Sequence, residues 1–263
     1  MLEWVRYLWR MFASTLAFVL FGFAGVLLSV GFFPFLRLVF WRSKAQKVRF
    51  ARRIVQRAFA TVVALMRGLG LLRYEVVGQE RLNRSGLLIL ANHPSLIDVV
   101  FLIALVPNAN CVIKRGVRRN PFMRGVVLAT NYICNDSGAQ LIDDCVQSLQ
   151  AGNNLIIFPE GTRTPITGIP KLLRGAANIA VRGTRDITPV VIHTNSTSLR
   201  KGVPWWHMPQ RMQFKFDIRE DIATLPFLHN PGGEALATRR LTEFLQHYFF
   251  AEGTRPCSSS KKN

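Results

Sequence analysis

Acidic residues are scarce in this chain: its 263 residues hold 15 Asp and Glu against 34 Lys and Arg, a net charge of +19. A surface of that sign attracts anions, whether lipid headgroups, phosphorylated substrates, an acidic carrier protein or nucleic acid. Nucleic acid is not the expected partner, because no RNA-recognition signature and no recognition-helix pattern occurs. Cysteine is nearly as scarce. Cys111, Cys134, Cys145 and Cys257 form no Cys-x-x-Cys pair, which excludes a zinc knuckle and thioredoxin-like chemistry, and buried reduced thiols fit a cytoplasmic domain. The five histidines, His93, His193, His207, His229 and His247, lack ligand spacing, so no metal is expected. No internal repeat is present.

What the chain has in quantity is apolar residues, 49% of the total, with a mean hydropathy of +0.18. They concentrate at the N-terminus. From Met11 to Leu36 there is no charged residue, and 26 residues at helical rise reach about 39 Å, more than a bilayer core of roughly 30 Å requires. Such a run spans with tilt, or Gly31 and Pro34 break it into a re-entrant or hairpin form. It ends in Phe32, Phe33, Pro34 and Phe35 rather than in a small-residue cleavage site, so it is expected to be retained. Arg37, Arg42, Lys44, Lys47, Arg49, Arg52 and Arg53 follow it, against Arg6, Arg10 and Glu3 before it, and the positive-inside rule then faces the remainder to the cytoplasm.

Residues 45–72 repeat apolar side chains at helical spacing with arginines between them, which reads either as a basic amphipathic helix on an anionic membrane or as an ordinary domain helix. Beyond Tyr74, short apolar runs at Leu87–Ala91, Cys111–Lys114, Leu155–Phe158, Ile187–His193 and Met212–Ile218 read as strands. Helical patterns cover Ser95–Leu105, Asp136–Gln150, Leu172–Arg182 and Glu234–Phe250. This alternation predicts an α/β fold with a largely parallel central sheet flanked by helices. The organisation expected is an N-terminal anchor with its basic helix over residues 1–72, a catalytic domain over 73–252 and a disordered basic tail over 253–263.

The first strand runs into Asn92-His93-Pro94-Ser95-Leu96-Ile97-Asp98, with Pro94 suited to the first turn of the helix that follows. His93 then sits at the carboxyl end of a strand, where open α/β sheets place their sites. If the histidine lies just outside the helix and Asp98 early within it, the two side chains converge. A carboxylate on one imidazole nitrogen fixes the tautomer and leaves the other free to accept a proton. The plainer alternative is a helix cap made by Asn92 or Ser95, with Asp98 complementing the helix dipole. Ser95 is no nucleophile on this pattern, since no Gly-x-Ser-x-Gly elbow surrounds it.

Asn92-His93-Pro94-Ser95-Leu96-Ile97-Asp98 resembles the His-x4-Asp motif of the glycerolipid (lysophospholipid) acyltransferases, and Phe158-Pro159-Glu160-Gly161-Thr162-Arg163-Thr164 resembles their second hallmark block. The resemblance covers roughly residues 87–192. It implies that His93 and Asp98 are catalytic and that Glu160, Gly161, Thr162 and Arg163 bind the phosphorylated acceptor. Lys114 and Arg115 resemble the basic start of the intervening block and are candidates for an anionic headgroup or donor phosphate. Pro189, within Ile187-Thr188-Pro189-Val190-Val191-Ile192, resembles the block bordering the acyl-binding region; on its own physics it marks an edge strand or a strand start. Where family members close the intervening block with Asp-Arg, this chain has Asn135-Asp136-Ser137. The loss of a charge-assisted phosphate contact, worth about 1.5 to 3 kcal/mol, counts against a plain lysophosphatidic acid acceptor unless Arg118, Arg119 or Arg124 replaces it.

The resemblance implies an O-acyltransferase that uses acyl-CoA or acyl carrier protein as co-substrate and no cofactor, at a membrane whose lipids supply the acceptor. Trp205, Trp206 and His207 either dip into the interface or pack in the core. An acceptor outside the phosphatidate series, such as an ornithine-type lipid, and an idle lipid- or carrier-binding scaffold are the rival readings. Oligomeric state is not encoded in any pattern found.

Overall fold

The computed structural model describes residues 2–35, 43–135, 140–165, 168–196, 198–200, 202–204, 210–229 and 232–250. Arg37, Arg42, Asp136, Ser137, Trp205, Trp206, His207, Cys257 and the tail therefore lie outside the described residues.

Seven strands form one sheet in the order β1-β7-β6-β2-β5-β3-β4. These are β1 (Leu72–Val77), β2 (Leu88–Ala91), β3 (Ala109–Ile113), β4 (Ile133–Cys134), β5 (Asn154–Ile157), β6 (Ile187–Thr194) and β7 (Met212–Ile218). All neighbours pair parallel except β6 with β7. Every residue of β2 and β5 is buried, as expected of central parallel strands covered on both faces, whereas β7 alternates buried and more exposed side chains.

On one face lie α1 (Leu2–Val26), α2 (Lys44–Gly68), α3 (Asp98–Leu105) and α5 (Pro121–Thr130), the last preceded by the short α4 (Arg115–Arg119). The other face is covered by α6 (Gln140–Gln150), α7 (Gly175–Gly183) and α9 (Gly233–Phe250), with α8 (Leu225–Leu228) between β7 and α9. The apolar side of the second helix packs into the domain. Ala51, Val55, Phe59, Val63 and Met66 of α2 join the same core as Ile89, Ala91 and Phe101.

The apolar helix α1 continues through a π-helical stretch, Leu27–Phe32, and then to Phe35. It is docked along its length by residues four apart. The Trp9 indole N–H donates to the Leu69 carbonyl at 3.2 Å, Ala13 and Ala17 are buried, Phe21 packs on Phe59, Gly25 approaches the Phe122 carbonyl, the Ser29 hydroxyl donates to the same carbonyl at 2.8 Å, and Phe33 is buried. Such an i, i+4 ridge is the surface that helices pack into one another's grooves. The opposite side, including Phe12, Val19, Phe23 and Val30, stays exposed.

Three expectations are corrected. The helix after His93 begins at Asp98 rather than Ser95, so Pro94 stands in the preceding turn, because the Asp98 side chain holds Ser95 there. Lys114 is not in a strand: β3 stops at Ile113 and Lys114 caps α4. Pro189 lies inside β6, between β2 and β7, not at an edge or a strand start. Its carbonyl accepts from Arg219 N at 3.0 Å, just beyond the last β6–β7 pair, Val190 with Ile218. The N–H that proline lacks points to that same side, where the ladder has ended. Sequence patterning also passed over β1 and the two-residue β4.

Candidate active site

β2 delivers His93 to the carboxyl edge of the sheet, and the residues around it are locked by hydrogen bonds from three segments. Asn92, buried, acts as an extra rung: its amide donates to the Ile192 carbonyl at 2.9 Å and accepts from Ile192 N at 2.7 Å, tying the turn to β6. His93 Nδ1 lies 3.0 Å from Asp98 Oδ2, with the Asp98 side chain 0% and the His93 side chain 14% exposed. Asp98 also accepts from Ser95 N at 2.7 Å and from the Ser95 hydroxyl at 2.6 Å. An ionised carboxylate only accepts, so this arrangement puts the imidazole proton on Nδ1 and leaves Nε2 as the acceptor. Ser95 is committed to holding Asp98.

The second block wraps the other side. Phe158, at the end of β5, stacks on the His93 ring with centroids 4.2 Å apart. Glu160 is buried, and its Oε1 accepts from His93 N and from the Thr164 hydroxyl, each at 2.8 Å, while Thr164 N donates to the His93 carbonyl at 2.7 Å. The two motifs are thus one hydrogen-bonded unit. Glu160 Oε2 is buried without a partner among the described residues, and burial raises the carboxyl above its ordinary value despite the two donors on its fellow oxygen. Gly161 closes the turn at φ +63, a left-handed conformation that favours glycine.

Arg163 is brought to the site, but one end of its guanidinium is already employed. Nη1 donates to the carbonyls of Leu199 and Arg200 at 2.9 and 3.0 Å, pinning the loop that leaves β6. Leu199, at φ +61, also accepts from Leu96 N at 3.0 Å, so this loop forms a third wall. Thr162 is half-buried beside it, and Lys114 and Arg115 are exposed at the end of β3. Pro189 lies in the neighbouring strand, registered with Leu90 of β2. Cys111, Cys134 and Cys145 are buried.

Sequence reasoning missed the supporting roles of Asn92, Phe158 and Thr164 and the contributions of Leu199 and Arg200. The first three stand inside the quoted motifs, so their positions were a signal without a role. Leu199 and Arg200 lie outside every motif.

Residues 73–193 match a family model described as Acyltransferase. The chain is 30% identical to the 1-acyl-sn-glycerol-3-phosphate acyltransferase of Helicobacter pylori (strain J99) over 61% of this chain and 69% of that protein. It is 30% identical to the one of Saccharomyces cerevisiae over 57% of this chain and 52% of that protein, and 29% identical to the one of Pseudomonas aeruginosa over 53% and 56%. The matched part thus spans only about half the length of the latter two relatives. The crystal structure of the 1-acyl-sn-glycerophosphate acyltransferase PlsC from Thermotoga maritima shares the fold, with a TM-score of 0.60 over 95% of this chain and 98% of that one at 17% identity.

Proposed function

The chain belongs to the acyltransferase family, and from that premise we propose that it transfers a fatty acyl group from acyl-CoA or acyl carrier protein to the free hydroxyl of 1-acyl-glycerol-3-phosphate, yielding phosphatidic acid. The observation that carries this reading is the His93 imidazole held through Nδ1 by a fully buried Asp98, with its other nitrogen left to accept a proton.

His93 Nε2 takes the proton of the acceptor hydroxyl as that oxygen attacks the thioester carbonyl carbon. The carbonyl π pair moves to oxygen and the tetrahedral adduct collapses, breaking the C–S bond. The departing thiolate takes the proton from the imidazolium, so the new ester and the free thiol account for every atom. Asp98 stabilises the imidazolium between the two transfers. Glu160 and Thr164 act on His93 through its backbone, fixing where the ring sits. We assign the acceptor phosphate to the remaining N–H groups of Arg163 together with Lys114 and Arg115, whose charges stand at the same sheet edge.

The 33-residue apolar helix Glu3–Phe35 supports a membrane location. Because it is docked along α2 and α5, the reading we favour seats it in one leaflet with its exposed side towards lipid and the domain against the cytoplasmic surface, rather than crossing alone. A different acceptor is the second reading, favoured by Asn135-Asp136-Ser137 where the family carries Asp-Arg.

Membranes carrying wild type or His93→Ala, offered labelled acyl-CoA or acyl carrier protein and a panel of lyso-lipids, test both readings by mass spectrometry. Phosphatidic acid made only with His93 is the expected result. A His93-dependent product from another acceptor would keep the mechanism and change the substrate, and no transfer by folded, membrane-bound protein would leave a scaffold.

A further inference from the structure

A groove lies between the end of α1 and α5, and none of the residues assigned to the acyl transfer lines it. Ser29 holds these helices together at one point: its hydroxyl donates to the Phe122 carbonyl at 2.8 Å and accepts from Val126 N at 3.3 Å. A Cβ on Gly125 would collide with the Ser29 backbone, so the two helices are in backbone contact there. The space left is about 240 Å³ and open on one side, walled by Ser29, Phe33, Pro34, Arg124, Leu128 and Ala129.

We infer that this groove binds an anionic diacyl phospholipid of the bilayer, one acyl chain lying between α1 and α5 and the phosphate meeting Arg124. Arg124 is the one charged side chain of the lining, and no carboxylate among the described residues forms an ion pair with it. From Val112 to Asn135 the chain has no Asp or Glu, and Lys114, Arg118 and Arg119 stand exposed just before α5, so the local potential favours an anion. The flanks of the mouth are apolar: Val30 is 69% and Phe122 57% exposed. A water-soluble anion would leave those flanks in solvent, whereas an anion with acyl chains satisfies charge and apolar surface together.

This inference rests on the membrane seating proposed above but not on the reaction. Native mass spectrometry of the detergent-purified full chain, exposed to phosphatidylglycerol or phosphatidylcholine, reads it directly. One phosphatidylglycerol is expected to stay bound and phosphatidylcholine to be lost. Arg124→Gln is expected to weaken retention by roughly ten- to hundredfold, the worth of one charge-assisted contact. Ala129→Phe, which fills the groove, is expected to abolish it. Arg182→Gln, whose side chain pairs with Asp143 on the opposite face of the sheet, is the control and is expected to retain lipid. Equal retention by Arg124→Gln, by Ala129→Phe or of phosphatidylcholine would overturn the inference, as would displacement by acyl-CoA at equal concentration. Membrane pelleting of the same variants separates the two readings: a wholly soluble chain defeats the seating, while a pelleted chain with no retained lipid defeats only the groove.

Discussion

The two edges of the sheet both carry buried polar networks, and they are built for opposite ends. At the carboxyl edge, His93, Asp98, Ser95, Glu160 and Thr164 form a network of titratable groups with an imidazole that reaches the surface and one carboxylate oxygen left without a partner among the described residues. At the amino edge of β3 and β5, Arg52 of α2 is buried, and no carboxylate among the described residues pairs with it. Its Nε donates to the Thr130 carbonyl at 2.9 Å and its Nη1 to the Asn108 and Asn153 side chains at 3.2 and 2.8 Å. Asn153 is in turn donated to by Asn108 and itself donates to the Ser148 carbonyl, while Asn110 donates to the Ser148 hydroxyl. Burial lowers the Arg52 pKa, and neutral amides and carbonyls supply what solvation it has. A network of fixed donors and acceptors rigidifies; a network with a proton to move and an opening to the outside does chemistry.

Substitutions that break one edge should leave the other's property intact. The largest effect belongs to His93→Ala, expected to lower acyl transfer by about 10²- to 10⁴-fold with little change in thermal unfolding, since general-base catalysis is the role proposed for it. Asp98→Asn is expected to cost up to about 10⁴-fold in kcat, no more than His93→Ala, with the acceptor KM nearly unchanged, because the proposed role of Asp98 is exerted through the imidazole. A rise in KM alone would make it a binding residue instead. Arg52→Met should do the reverse. It strands the amide and carbonyl acceptors of its network, costing about 2–4 kcal/mol of stability and roughly 5–15 °C in Tm, with kcat per folded molecule unchanged.

The smallest effect is a pH dependence. Glu160 has its folded-state pKa raised by burial, so the folded state binds more protons than the unfolded one once pH exceeds the ordinary glutamate value. Stability from this group is therefore lost as pH rises from that value through the raised folded one. Glu160→Gln, which keeps an acceptor for His93 N, is expected to flatten the decline in denaturant titrations between those limits. An unchanged slope would mean that Glu160 is ionised throughout.

The same contrast explains what was legible in the sequence. His93 and Asp98 announce themselves because a strand leads straight into a short turn whose chemistry is local, and Gly161 because it stands inside the second quoted block. Strands β2, β5, β6 and β7 are legible because full burial or strict alternation leaves a pattern. Arg52 was read as one of many basic residues on an amphipathic helix; its burial is decided by Asn108, Asn153 and Thr130, far off in sequence. Arg163 is a similar case, since the carbonyls that occupy half of it belong to a loop over thirty residues on. Pro189 misled because the rule it follows concerns where a neighbouring ladder stops, which only tertiary structure fixes.

The most direct test compares acyl transfer per folded molecule, together with Tm, for wild type, His93→Ala and Arg52→Met under one set of conditions. The expected result is loss of transfer at unchanged Tm for the first variant and unchanged transfer at lowered Tm for the second. Retention of transfer by folded His93→Ala would contradict the assignment of chemistry to the carboxyl edge of the sheet.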